Sequence, residues 1–124
     1  MIRYVKHMKE QQHKVYKIKS DFQEILPDDC KQYNEIARRY RDIGQEDADE
    51  AFKLMKDSWA VAQRWSEIQA TSRKIKDLSG KDFSVTAFKE WSYQRYRQMQ
   101  YIHESSRMIW KQANEYLMWS RRNT

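Results

Sequence analysis

Only three residues in this chain are strong interrupters of a helix: Pro27, Gly44 and Gly80, within 124 residues. They separate long stretches rich in Glu, Lys, Gln, Arg, Met and Ala, residues that lose little side-chain freedom in a helix. Strands need frequent turn residues and a period-two alternation of apolar and polar positions, and neither is visible. The apolar residues instead recur at spacings of three and four, which predicts an all-α fold.

Met1, Val5, Met8, Val15, Phe22 and Leu26 follow that spacing and predict a first helix over about residues 2–26, with Gln12 and Lys19 as polar interruptions of its seam. Pro27 followed by Asp28 and Asp29 suits a new N-terminus, because proline lacks the N–H that would be unpaired there and carboxylates complement the helix dipole. The second helix spans about 28–43, carries Cys30, Tyr33, Ile36, Ala37, Tyr40 and Ile43 on one stripe, and meets Gly44 as a C-terminal glycine. A third opens in the acidic run Glu46-Asp47-Ala48-Asp49-Glu50 and extends to about residue 78. Its seam is Ala51, Leu54, Ser58, Val61, Trp65, Ile68, Ser72 and Ile75, and Phe52, Met55, Trp59 and Ala62 widen the face. Ser79-Gly80-Lys81-Asp82 is the clearest turn, with Asp82 or Ser84 available as the next cap. A fourth helix over about 85–121 aligns Phe88, Ser92, Met99, Ile102, Ser106, Ile109, Ala113, Tyr116 and Ser120. Tyr96, Trp110 and Leu117 broaden that seam. The expected architecture is one domain over residues 1–124, an elongated antiparallel bundle of three or four helices. A helical hairpin of roughly 50 Å with coiled-coil-like packing is its base.

Five Trp, eight Tyr and four Phe supply enough apolar area to offset chain ordering, so disorder is not expected. The net charge of +6 is unevenly placed. Residues 1–20 hold six Lys/Arg against one acid, residues 21–57 six against eleven, and residues 58–124 twelve against six. That distribution argues against a DNA mimic and leaves nucleic acid, an acidic protein or an anionic surface as partners. The longest apolar run, Tyr116-Leu117-Met118-Trp119, is far short of the ~20 residues that span a bilayer. The start of the chain, Met1-Ile2-Arg3-Tyr4-Val5-Lys6, never becomes an apolar signal core, so a cytoplasmic location is expected. Cys30 is the only cysteine, which rules out an intrachain disulfide and suits a small packing residue.

The residue types that carry chemistry are present but badly spaced. A di-metal bundle needs two Glu-x-x-His motifs, and Glu10-Gln11-Gln12-His13 is the single copy. His7 and His13 lie six apart, about 240° around a helix, and do not share a face. His103, Glu104, Ser105 and Ser106 are consecutive, so their side chains diverge rather than form a triad. Gly44 and Gly80 are isolated from each other, unlike a phosphate-binding loop. The expectation is therefore a protein that is not an enzyme and holds no cofactor or metal.

Binding is the better-supported class. Tyr101, Met108 and Trp119 project from nearly the opposite side of the fourth helix to its main seam, with Tyr93 nearby. Either the helix is central and covers both sides with its own chain, or the stripe meets a protein partner or a second copy; Trp, Tyr and Met are enriched in interface cores. The alternative is a nucleic-acid accessory role. In Trp91-Ser92-Tyr93-Gln94-Arg95-Tyr96-Arg97, aromatics interleave with Arg95 and Arg97 as in stacking surfaces, and Lys6, Lys9, Lys14, Lys17 and Lys19 form a second basic set. The small helical-hairpin substrates of type VII secretion approach this chain in size, but their Trp-x-Gly turn is replaced by Leu78-Ser79-Gly80-Lys81. The acid that family places four residues after a tyrosine is here Ser120, after Tyr116.

Overall fold

The computed structural model describes residues 22–44 and 47–122, most of which are helical, with no strand among them. Four helices follow one another: α1 (Pro27–Asp42), α2 (Ala48–Ala70), α3 (Ser72–Ser79) and α4 (Val85–Arg122). Phe22–Ile25 form a further helical turn ahead of α1. The rest of the helix expected over residues 2–26, including Lys6, Lys9, Lys14, Lys17 and Lys19, lies outside the described residues.

α2 and α4 form the antiparallel hairpin. Ring contacts of Phe52 with Trp110 at 5.5 Å, Trp59 with His103 at 4.9 Å and Trp65 with Trp91 at 5.2 Å descend α4 as they ascend α2. The two faces share a heptad of buried positions, Ala51, Ser58, Trp65 and Ser72 on one arm and Ser92, Met99, Ser106 and Ala113 on the other. Small residues at these positions let the backbones approach, while Trp65 and Met99 fill the middle. α1 lies along the hairpin antiparallel to α2. Asp29 accepts from Arg64 at 2.9 Å, and Arg39, ten residues later, reaches back to Glu50 and Asp57 at 3.2 and 2.8 Å. The described residues thus make three long arms, with Trp65, Ile68, Leu54, Phe88, Met99 and Ile102 fully enclosed between them.

The helix ends follow the sequence, with two corrections. Asp47 caps α2 by accepting from the Glu50 amide at 3.1 Å, and Ser84, rather than Asp82, caps α4 by accepting from Ala87 at 3.2 Å. Gly80 ends α3 in the left-handed region at φ 68°, a conformation that favours glycine. Gly44 does not play that part for α1. Its helix stops at Ile43, which turns to extended backbone at φ −71°, ψ 136° and packs its side chain against the core. The continuous helix expected over 46–78 is also broken, at Thr71. Thr71 and Ser72 turn their hydroxyls onto the preceding carbonyls, Thr71 Oγ1 to Glu67 at 2.8 Å and Ser72 Oγ to Gln69 at 2.7 Å. Such back-bonding bends a helix.

At 38 residues α4 is about 57 Å long and outreaches its partner. Ala113 is its last buried residue, opposite the beginning of α2, and Tyr116, expected on the seam, is 63% exposed because α2 begins only at Ala48.

Candidate interaction surface on α4

Two places concentrate unusual side chains: an arginine held among aromatic rings inside the bundle, and an exposed aromatic row on the outside of α4.

Near the hairpin turn, Phe22 packs edge-on against Phe83 and Phe88 at 5.4 and 5.2 Å, and Trp91 joins both Phe22 and Trp65 at 5.2 Å. Arg95 closes this cluster. Its guanidinium carbon lies 4.3 Å from the Trp91 ring centroid, 4.9 Å from that of Tyr33 and 5.7 Å from that of Trp65. No carboxylate stands within salt-bridge distance of it among the described residues. The ring faces, with their negative quadrupoles, take the place of an anion. Burial lowers the Arg95 guanidinium from the ordinary arginine range, opposed by attraction to Cys30 and Tyr33. Burial also raises the Cys30 thiol, which sits beside Arg95 in the core, and the Tyr33 phenol. The sequence grouped Arg95 with Arg97 as phosphate contacts. The structure separates them, for Arg95 is drawn inward and Arg97 stays in solvent.

The outer face of α4 is different in kind. Tyr93, Tyr101, Met108 and Trp119 are 38%, 58%, 57% and 62% exposed, so none of the four is enclosed by the described helices. Tyr101 rests edge-on against Tyr40 of α1 at 6.0 Å, which fixes one flank of its ring. Hydrogen bonds from Tyr40 and Ser105 lower its phenol from the ordinary tyrosine range. Beyond Ala113 the exposed apolar residues become consecutive: Tyr116, Leu117, Met118 and Trp119, with Tyr116 stacked on Trp119 at 6.4 Å. Four large apolar neighbours on one helix point in every direction around it, so a single flanking helix cannot cover them all.

The hairpin's other edge carries a smaller apolar set, from the residues expected to widen the face beside the seam. Phe52 and Trp59 pack at a tilt against Trp110 and His103 yet remain 39% and 47% exposed. The His103 ring meets the Met55 carbonyl through Nδ1 at 2.8 Å, which anchors it between the helices. An open groove of about 670 Å³ runs between α1 and α2, with Ile36 and Val61 on its floor and Asp28, Lys31, Glu35, Arg39 and Asp57 around its rim. Its rim charges are of both signs and Arg39 is already paired, so it offers no concentrated charge to a ligand. Among the described residues no three His, Cys, Asp or Glu side chains converge as metal ligands, and no helix is long and apolar enough to cross a membrane.

Comparison with models of protein families, with curated proteins and with solved structures finds no match.

Proposed function

We propose that this chain is a non-enzymatic helical interaction module, an adaptor, inhibitor or assembly factor that engages another protein or a second copy of itself through the aromatic outer face of α4. The observation that carries the reading is the exposure of Tyr93, Tyr101, Met108 and Trp119 on one long helix whose opposite face is packed from Phe88 to Ala113. Scattered apolar residues on a surface are ordinary, but a row of Tyr, Met and Trp along one helix has the composition of an interface core. Tyr101 supports this further, since its ring is held by Tyr40 and loses little rotamer freedom when a partner covers it.

Nucleic-acid binding is less well supported, because the guanidinium of Arg95 faces three rings rather than a phosphate and Arg97 is left without it. The test is affinity capture from the native host, with mass measurement of the complex and its ultraviolet absorbance ratio. A protein complex that survives added salt and has a protein-like absorbance agrees with the proposal. A complex rich in nucleic acid and released by salt overturns it.

A further inference from the structure

The outer face of α4 carries a charge code as well as aromatic residues. Glu90, Arg97, Glu104 and Lys111 are spaced seven apart, alternate in sign, and are all exposed. A seven-residue row drifts slowly around a straight helix and stays in contact with a second helix wound on it in a left-handed sense. Alternating rows of even length have a further property: read backwards, each is its own complement. Two copies running antiparallel bring Arg97 against the partner's Glu104, and Glu90 against the partner's Lys111.

The register that the charges set also sorts the apolar residues. It sets Tyr93 opposite the partner's Met108, a thioether against an aromatic ring, and places Tyr101 beside the two-fold axis, facing the partner's Tyr101. A parallel pairing in register would instead put Arg97 against Arg97 and Glu104 against Glu104. The row from Glu90 to Lys111 is about 33 Å long, enough for a two-helix seam.

Resting on the reading of α4 as a protein-binding face, we propose that its occupant is a second copy of this chain, paired antiparallel about a two-fold axis near Tyr101. The interface is isologous, so each interhelical ion pair occurs twice. The apolar contacts hold the pair together, and the charges select its direction and register.

The test uses the native chain and two variants, Arg97→Glu and Glu104→Arg, both at exposed positions; the second also loses the 3.5 Å pair of Glu104 with Arg107, so its melting temperature is measured beside its association. Sedimentation equilibrium should show the wild type dimerising. Each variant alone juxtaposes like charges twice and should associate roughly tenfold more weakly or worse. Mixed together, the two variants regain opposite charges at both contacts and should form a heterodimer close to wild-type affinity. A wild type that stays monomeric at high concentration overturns the second-copy proposal but leaves the protein-binding reading to the capture experiment. A wild-type dimer unaffected by either variant, or variants that weaken association without restoring it on mixing, overturns the antiparallel register. Circular dichroism of each variant confirms that helicity is retained.

Discussion

Replacing Trp65 by alanine probes the bundle at its most enclosed point. Trp65 has no exposed surface and touches Tyr33 at 6.1 Å, Trp91 at 5.2 Å and the Arg95 guanidinium at 5.7 Å, so it joins α1, α2 and α4 at once. A tryptophan side chain buries ~150–250 Å², and at ~25 cal/mol per Å² its removal costs about 4–6 kcal/mol before the β-carbon that alanine keeps is discounted. Large-to-small changes at such positions cost about 3–5 kcal/mol. Trp65→Ala is therefore expected to lose ~3–5 kcal/mol, and additional loss is expected where Arg95 is left with one fewer ring to shield it. At ~3–6 °C per kcal/mol for a domain of this size, the melting temperature falls by ~10 °C or more. Urea unfolding followed by far-ultraviolet circular dichroism measures this without relying on tryptophan fluorescence. A loss below ~1 kcal/mol would mean that Trp65 does not join the three arms, and the packing described here would be refuted.

Three further outcomes are expected. Ser106→Ala removes a buried hydroxyl without a hydrogen-bond partner and is expected to be neutral or to stabilise by up to ~1 kcal/mol in thermal melts; a clear loss would show that the hydroxyl is satisfied. Asp47→Ala deletes the cap that accepts from Glu50 and should cost ~1 kcal/mol, with Asp47→Ser recovering most of it. Burial raises the Cys30 thiol, so its neutral form is favoured by the fold; the stability this gives is present below the ordinary thiol range and is lost as pH rises through the higher folded value. Alkaline melts should show that slope, Cys30→Ala should reduce it, and an unchanged slope would place the titration elsewhere, with Tyr33 the nearest alternative.

The hairpin was legible because its two signals are local and strong. Gly80 must adopt a positive φ to end α3, and the seams through Trp65 and Met99 keep their spacing across many turns. The break at Thr71 was not legible, since a threonine followed by a serine within a helix is as often harmless as bending. Ser92 makes the same back-bonds inside the unbroken α4, so the break shows only in the Thr71 backbone, at φ −105° and ψ 22°. Gly44 misled for a related reason: whether a glycine after a helix turns left-handed depends on where the chain must go next, and Ile43 is pulled back toward the core. The candidate surface was half readable. Periodicity placed Tyr101, Met108 and Trp119 away from the main seam but could not say whether another helix covered them, because coverage depends on the relative lengths of α2 and α4 and on where α1 lies. Arg95 was the hardest to place. A helical wheel puts it on the seam, seven residues after Phe88 and seven before Ile102, but its charge reads as solvent-facing until Tyr33, Trp65 and Trp91, from three helices, form an aromatic lining around it.

The protein-binding reading of α4 is tested most directly by Met108→Glu, a charge placed in the middle of the exposed row. The mass of the assembled species and the melting temperature are measured on the same preparations of wild type and variant. If the row is an interface, the variant loses its assembly, because a carboxylate is costly in a desolvated contact, while its melting temperature stays that of the wild-type monomer. If the row is internal packing, the melting temperature falls by several degrees and the assembled mass is unchanged, and that result would contradict the account.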